Sequence, residues 1–284
     1  MANQEVIITI VVYNLILICI GLITKRKNKT EDDFFLANRG LGPWVAALSA
    51  SASSSSAWTL LGVSGAAYAW GLSAVWLLPG VLIGYYVSWT WVAPRLMELS
   101  QETGEVSLAG VLFHNFDENE KKSLMRLSVI IITSTLILYV AAQFQAAGTT
   151  FSSILGISQE LSIIIGALVI LIYTFIGGFW AVSLTDSIQA VLMVIVALIL
   201  PWMLLLIGIG GFGDLSLAID ATWSAEEQNL TGVHTGLLGA GFALGTIAIG
   251  FGYPGQPFVV NRFMAAKDVQ AIKRGRVIAI IWAI

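Results

Sequence analysis

Membrane-length apolar stretches recur along the whole chain, and they constrain its fold more than any other feature. An α-helix needs about 20 apolar residues to cross about 30 Å of hydrocarbon. Only 11% of the residues are charged, against about 25% in soluble domains, so the chain cannot cover a water-facing surface. We therefore expect an all-α integral membrane protein. Seven complete segments are predicted, and an eighth begins where the chain ends: residues 6–24, 44–63, 72–92, 127–147, 161–176, 188–210 and 237–253, then 277–284.

The eighth segment stops inside an apolar run. A helix that ended within the bilayer would leave its last carbonyl groups without hydrogen-bond partners. The sequence therefore predicts that these 284 residues are the N-terminal part of a longer protein.

The basic residues predict the orientation of the segments. All 14 lysines and arginines follow segment 1, 3 or 7, whereas the connection at 211–233 has none and carries four carboxylates. Short loops rich in lysine and arginine stay in the cytoplasm. We therefore expect a multi-pass protein of the cell membrane, with its N-terminus outside and the three basic loops inside.

The residues that enzyme chemistry needs are scarce. Cys19 is the single cysteine, and His114 and His234 stand alone in predicted loops, so neither a metal centre nor a catalytic triad is indicated. The motif "GIGGFG" at 208–213 follows a membrane helix and not a strand, which is the wrong context for dinucleotide binding. No basic run is interleaved with aromatic residues, so nucleic acid is not an expected partner. We expect a protein that is not an enzyme and has no bound cofactor.

A run of serines lies in the middle of segment 2. Six of the eight residues at 49–56 are serine. One interpretation is packing, because small residues let helices approach and a serine hydroxyl can bond a carbonyl one turn earlier. The other is a helix that unwinds, so that carbonyl and hydroxyl oxygens coordinate a hard cation. The run alone leaves both interpretations open.

A second interruption ends segment 7. The stretch "GFGYPGQPF" at 250–258 contains two prolines and three glycines, which break a helix. Segments 2 and 7 are five apart, and interruptions at matching positions indicate inverted repeats. This spacing predicts one membrane domain: an extra helix at 6–24, a five-helix repeat at 44–210, and an incomplete second repeat at 237–284.

The stretch "YTFIGGFWAVSLTDSIQ" at 173–189 has two interpretations. In the first, the Gly-Gly pair is a turn, and Asp186 lies near the start of the next helix with Gln189 as its capping-box partner. In the second, Asp186 lies at the mouth of a cation path.

Three blocks together resemble the sodium/solute symporter family, and most closely its sodium/proline symporters. The blocks read "DDFFLANRGLGPWVAALSASASSSSAW", "YTFIGGFWAVSLTDSIQ" and "GYPGQPFVVNRFMA", and they agree with the family in order, spacing and position on the topology. The resemblance covers essentially the whole chain. It implies the five-plus-five inverted-repeat, leucine-transporter-like fold, truncated here after the first helices of the second repeat.

The resemblance also implies a sodium site where segment 2 unwinds. Its ligands would include the backbone carbonyls of Ala52 and Ser55. The proline symporters have an aspartate at the next ligand position, where this chain has Ser54. The remaining ligands would come from a helix beyond Ile284.

A solute pocket is implied between the two broken helices and segment 4. Where the proline symporters carry a tryptophan, this chain has Ile249, which opens volume and removes a stacking face. Arg39 and Asp186 match polar positions that the family links with ion access and coupling. The pocket residues implied here are Ser56, Tyr139, Gln143, Ile249, Tyr253 and Pro257.

The function implied by the resemblance is sodium-coupled symport of a small organic solute, such as proline or a related amino acid. The expected partners are Na⁺, that solute and the lipid bilayer. The alternative is a solute-sensing membrane domain of a signalling protein. A signalling domain after the last membrane helix would favour the sensor, and its absence would favour the symporter.

Overall fold

The computed structural model describes residues 4–284, apart from the side chain of Leu60. We number the α-helices in chain order; short 3-10 and π-helical turns join several of them. The helices are α1 (Gln4–Thr24), α2 (Glu31–Leu36), α3 (Pro43–Ser54), α4 (Val63–Trp70), α5 (Leu77–Val87), α6 (Ala93–Thr103), α7 (Leu108–Leu112), α8 (Glu118–Leu155), α9 (Gln159–Met203), α10 (Phe212–Thr222), α11 (Gly236–Ile247), α12 (Pro257–Met264) and α13 (Val269–Ala283).

Five helical stretches in the described part of the chain are long and apolar enough to cross a membrane. The longest has 51 residues, which at 1.5 Å per residue would extend about 77 Å, more than twice the hydrocarbon thickness. It is broken at Gly178, where φ is 57° and ψ is −154°. This stretch therefore contains the predicted segments 5 and 6. The five stretches are Gln4–Lys27, Val63–Thr103, Glu118–Leu155, Gln159–Ile209 and Gly236–Gly255.

Both predicted interruptions are present. Helix α3 ends at Ser54, Ser55 has extended dihedral angles (φ −90°, ψ 96°), and the helix resumes after Ser56. In the second broken helix, α11 continues as a 3-10 turn at Ala248–Gly255 before Gln256 interrupts it (φ −82°, ψ 107°). Pro257 then begins α12, a position where the missing N–H of proline costs nothing. Each broken helix thus consists of two half-helices joined by one or two extended residues.

The second broken helix packs backbone to backbone against α5. A Cβ atom on Gly80 would lie 2.7 Å from the carbonyl oxygen of Ile247, and one on Gly250 would lie 2.2 Å from the carbonyl oxygen of Gly80. Only glycine permits this approach at either position. Small residues at such contacts are typical of helix packing in membranes.

A main-chain link joins the two broken helices on the membrane side that carries the basic loops, which we call the basic side. The N–H of Leu41 donates to the carbonyl of Ala265, and the N–H of Lys267 donates to the carbonyl of Leu41, both at 3.0 Å. Leu41 precedes α3 and is fully buried. The link therefore ties the start of α3 to the end of α12.

The capping-box interpretation of residues 186–189 is wrong. Helix α9 resumes directly after Gly178, so Asp186 lies about two turns inside the helix and not at its start. The side-chain amide of Gln189 donates to the hydroxyl of Tyr13 at 2.6 Å. The physical reason is that a single glycine with positive φ suffices to redirect the chain, so no separate turn is needed.

Candidate functional site

The first helix break lies at Ser55 and Ser56. The N–H of Ser55 is shared between the carbonyls of Ser51 (3.1 Å) and Ala52 (3.2 Å). The hydroxyl of Ser56 accepts from the N–H of Trp58 at 3.1 Å and so caps the following half-helix. The carbonyl of Ser56 accepts from the N–H of Thr59 at 2.9 Å and belongs to the following half-helix. At Ser55 the extended backbone turns the carbonyl out of the regular helical pattern, where it can serve as a ligand.

Gln143 on α8 stabilises this break from outside. Its side-chain oxygen accepts a hydrogen bond of 2.8 Å from the N–H of Ala57, the first residue after the break. That N–H would otherwise lack a partner, as the first N–H groups of a helix do. The predicted pocket residue Gln143 therefore lies at the break, and one role of its amide is structural.

Ser54 contacts α5. Its hydroxyl donates to the carbonyl of Ser51 at 2.8 Å and lies 2.5 Å from the hydroxyl of Tyr85. Because the serine proton is already donated, Tyr85 is the donor in the second bond. Among the described residues, the hydroxyls of Ser51 and Ser88 are buried without a hydrogen-bond partner.

A small cavity lies between the two broken helices and α5. Its volume of about 10 Å³ is close to the space that one water molecule needs. Residues from both broken helices line it, so side chains next to the two interruptions face a common space. The lining residues are Ala50, Ser54, Tyr85, Ser88, Trp89, Tyr253, Val259 and Phe263.

The second break brings several predicted pocket residues to the same region. The ring of Tyr253 lies 5.2 Å from the ring of Tyr85, centroid to centroid. Tyr139 on α8 stacks on Phe258, next to Pro257, at 5.2 Å and with an angle of 18° between the rings. Ile249 lies against α5, with a methyl group 3.0 Å from where a Cβ of Gly80 would be.

Gln256, which the sequence analysis did not select, lies at the second break itself. Its carbonyl accepts from the N–H groups of Val259 and Val260, both at 3.0 Å. Its side-chain oxygen is buried and has no hydrogen-bond partner within residues 4–284. A buried amide oxygen without a partner at a helix break is a candidate ligand for a polar solute. Its place between Gly255 and Pro257 is the sequence signal that could have revealed it.

Asp186 lies in a buried polar network near the basic side. One of its carboxylate oxygens accepts from the hydroxyls of Ser49 (2.7 Å) and Ser53 (3.1 Å) and from the guanidinium of Arg262 (2.8 Å). Arg262 also donates to the hydroxyl of Ser49 at 3.0 Å and to the carbonyl of Phe258. The network connects α9 with α3 and α12, the basic-side halves of both broken helices.

Sequence reasoning missed Arg262, although it is the partner of Asp186. Its side chain is only 7% exposed. The signal was available, because an arginine within an apolar membrane-embedded stretch such as "GQPFVVNRFMA" is rare and marks a specific partner.

Arg39 belongs to a different network. It pairs with Asp32 at 3.2 Å, donates to the carbonyl of Glu105 at 3.4 Å, and bonds the hydroxyl of Ser100. These contacts tie the loop before α3 to the end of α6. The structure thus places Arg39 and Asp186, which the resemblance linked with coupling, in separate clusters on the basic side.

The groups that could supply oxygen ligands to a cation at the two breaks are carbonyls, hydroxyls and side-chain amides. Within residues 4–284, no group of three His, Cys, Asp or Glu side chains could hold a metal ion. Neutral oxygen donors from unwound backbone suit a hard monovalent cation that is bound and then released.

Comparisons with known proteins agree with this geometry. The model of the sodium:solute symporter family matches residues 34–284. The sodium/proline symporter of Escherichia coli (strain K12) is 37% identical over 284 residues, which cover 99% of this chain and 55% of that protein. The osmoregulated proline transporter OpuE of Bacillus subtilis (strain 168) is 34% identical over 280 residues, with 99% and 56% covered.

A solved structure shows the same fold. It is a Na⁺-coupled sialic acid symporter in a substrate-bound, outward-open state, with a TM-score of 0.72 at 20% identity, and the match covers 95% of this chain and 55% of that one. The chain spans about half the length of the curated relatives that it matches. These relatives are transporters and not enzymes. The leucine-transporter-like fold is confirmed, and the chain, a multi-pass membrane protein, belongs to the sodium:solute symporter family.

Proposed function

We propose that the full-length protein carries out sodium-coupled symport of a small organic solute, with proline as the favoured solute. The observation that carries this proposal is the meeting of two interrupted helices at one small cavity, with Ser54 on one side and Tyr253 on the other. Interrupted helices supply both the ion ligands and the solute contacts in transporters built from inverted repeats. The family of the chain and the names of its relatives support the same function.

Na⁺ would bind at the first break. The carbonyls of Ala52 and Ser55 are the main-chain ligands that we assign, and Ser54 is the adjacent hydroxyl. A serine oxygen has two acceptor positions. In Ser54 one of them accepts from Tyr85, which leaves the second for a cation.

The solute would lie between the breaks and α8. The amide of Gln143 and the hydroxyls of Ser56, Tyr139 and Tyr253 offer polar contacts for a small zwitterion, and Pro257 and Ile249 offer apolar contacts. The two relatives named above are a sodium/proline symporter and a proline transporter, and this favours proline. Ile249 stands where the proline symporters carry a tryptophan, so a solute somewhat larger than proline would also fit.

One sodium ion supplies enough driving force. Its movement down about 100 mV and a tenfold concentration gradient releases about 2.3 plus about 1.4 kcal/mol. The sum corresponds to roughly 500-fold accumulation of a neutral solute.

The basic side would be the cytoplasmic side, with the N-terminus outside, because all 14 basic residues follow segment 1, 3 or 7 and so lie towards this side. The Asp186–Arg262 network then closes the cytoplasmic ends of both broken helices. With the cytoplasmic end closed, the proposed site would exchange solute with the outside.

The test is solute uptake by the full-length protein reconstituted in liposomes. An inward sodium gradient should drive proline accumulation, and an equal potassium gradient should not. A competition series with other amino acids would rank the solutes. Solute binding without any sodium-driven uptake would contradict symport and favour the sensor.

A further inference from the structure

A basic cleft lies away from the helix breaks, where the end of α1 meets α2 and α9. Its volume is about 410 Å³. It is distinct from the solute and ion site, because none of its lining residues belongs to α3, α8 or α12. The lining residues are Arg26, Lys27, Lys29, Asp33, Ala37, Asn38, Gly40 and Trp180.

The residues that line the cleft include three cations and one carboxylate. Within residues 4–284, Arg26, Lys27 and Lys29 form no ion pair with a carboxylate. Lys27 is held in place by the indole of Trp180, with its ammonium 4.1 Å from the ring centroid. A cation held over an aromatic face keeps its remaining N–H groups available to an anion.

The one carboxylate of the cleft is already engaged. Asp33 accepts from the main-chain N–H groups of Lys29 (3.1 Å) and Thr30 (3.0 Å) in a capping box at the start of α2. The bond from Lys29 is the main reason why the pKa of Asp33 lies below its usual value, and Thr30 contributes as well. Asp33 therefore stabilises the loop and offsets only part of the positive charge of the cleft, through its Coulombic attraction to Lys29.

The length of α1 places the cleft at the depth of lipid headgroups, with Thr24 taken as the edge of the hydrocarbon, because 21 residues extend about 32 Å. Lys27 is three residues beyond Thr24, the last residue of α1, and a 3-10 turn adds about 2 Å per residue. That puts its backbone about 6 Å outside the hydrocarbon, and the headgroup layer is about 5–8 Å thick on each side. Ile23, one turn earlier, is 71% exposed and would contact acyl chains.

From these observations we infer that the cleft binds the phosphate group of an anionic phospholipid, with Arg26, Lys27 and Lys29 as its ligands and Trp180 as the wall that positions Lys27. Arginine and lysine are the usual partners of phosphate oxygens. Basic residues next to a membrane helix on the cytoplasmic side meet the anionic leaflet. This assignment uses the proposed orientation but does not depend on symport activity.

The test is native mass spectrometry of the delipidated full-length protein, titrated with phosphatidylglycerol or with phosphatidylcholine. We expect the first phosphatidylglycerol molecule to bind more tightly than the phosphatidylglycerol molecules that bind after it. The variant K27Q/K29Q should weaken that binding roughly 25-fold, about fivefold for each cation removed. The variant K27R/K29R keeps the charge and should bind within about twofold of wild type.

The matched control is K25Q/K273Q, which removes two exposed lysines outside the cleft. It should leave the tight binding unchanged. Equal loss in both double variants would overturn the assignment, because surface charge alone would then explain binding. Displacement of the lipid by an equimolar amount of inorganic phosphate, or equal binding of phosphatidylcholine, would also overturn it.

Discussion

Asp186 on α9 and Arg262 on α12 form an ion pair of 2.8 Å inside the helix bundle, with side chains only 14% and 7% exposed. The hydroxyls of Ser49 and Ser53 bond the same carboxylate oxygen that accepts from Arg262. One oxygen atom thus holds three elements together, two of which are half-helices of the proposed transport site. Any opening of the basic side that separates α3 and α12 from α9 must break these bonds.

We expect Asp186→Asn and Arg262→Gln each to destabilise the protein by about 3–5 kcal/mol, because each leaves the other charge buried without its partner. The double variant D186N/R262Q should be less destabilised than the sum of the two. Denaturant unfolding in detergent micelles measures all three. The exposed pair of Lys122 and Glu118 provides the control, and Lys122→Gln should cost less than about 1 kcal/mol. Additive effects of D186N and R262Q would contradict the interpretation.

Ser54 and Tyr85 should act as a unit in ion binding. Ser54→Ala and Tyr85→Phe each remove one side of their hydrogen bond, so each should raise the sodium concentration for half-maximal uptake severalfold. The double variant should raise it no further than the stronger single variant. Ser153 donates to a carbonyl three residues earlier, as Ser54 does, but it is distant from the breaks, so Ser153→Ala is the matched control. An unchanged sodium dependence in S54A would refute the assignment of Ser54 to the ion site.

We expect Gln256 to lower the stability of the folded protein and to favour solute binding. A buried amide oxygen without a partner costs about 1–3 kcal/mol. We therefore expect Gln256→Met, which is similar in volume, to leave the melting temperature unchanged or raise it, and to increase the KM for solute at least tenfold. Gln228→Met in the loop after α10 is the control and should change neither quantity. A lower melting temperature with an unchanged KM would show that Gln256 is only structural.

The proposed orientation can be tested by cysteine labelling in intact cells. In a Cys19→Ser background, Gln228→Cys should react with a membrane-impermeant thiol reagent added outside. Asn119→Cys should react only after the cells are permeabilised. Both positions are exposed, so burial does not explain a difference. The reverse pattern would place the N-terminus inside.

Glu227 should make the loop before α11 sensitive to acid. Its carboxylate accepts from the N–H of Ser224 at 2.7 Å, and this bond lowers the pKa of Glu227 below its ordinary value. Because the pKa of Glu227 is lower in the folded state, its carboxylate stabilises the loop at pH values above its unfolded-state pKa. This stabilisation is lost as the pH falls through its folded-state pKa. Corrected for intrinsic rates, amide exchange at Ser224 should therefore accelerate in acid. Glu227→Gln should abolish this dependence and the neighbouring Glu226→Gln should not.

Both helix breaks have a local signal in the sequence, although the serine run alone was also compatible with packing. Serines between Ser51 and Ser56 compete with the helix for backbone hydrogen bonds, and Pro254 and Pro257 cannot continue it. The apolar run lengths likewise predicted membrane crossings, although two of them join into one stretch through Gly178.

The side-chain partners could not be predicted in the same way. Asp186 and Arg262 are 76 residues apart, and no local pattern specifies which buried cation meets which carboxylate. Ser54 was expected to contact the ion, and its contact with Tyr85 appears only when α5 packs beside α3. The error at Gln189 arose because capping rules apply to the first turn of a helix, whereas the helix that follows the break at Gly178 begins about two turns before Asp186.

The main-chain link at Leu41 has a mechanical consequence. Because its two hydrogen bonds join backbone atoms, side-chain substitution cannot remove them, and only proline at Leu41 or Lys267 deletes a donor. These bonds join the start of α3 to the end of α12, so a movement of either half-helix alone would break them. An opening or closing movement would then carry both half-helices together, and the proposed ion and solute contacts on them would change at the same time.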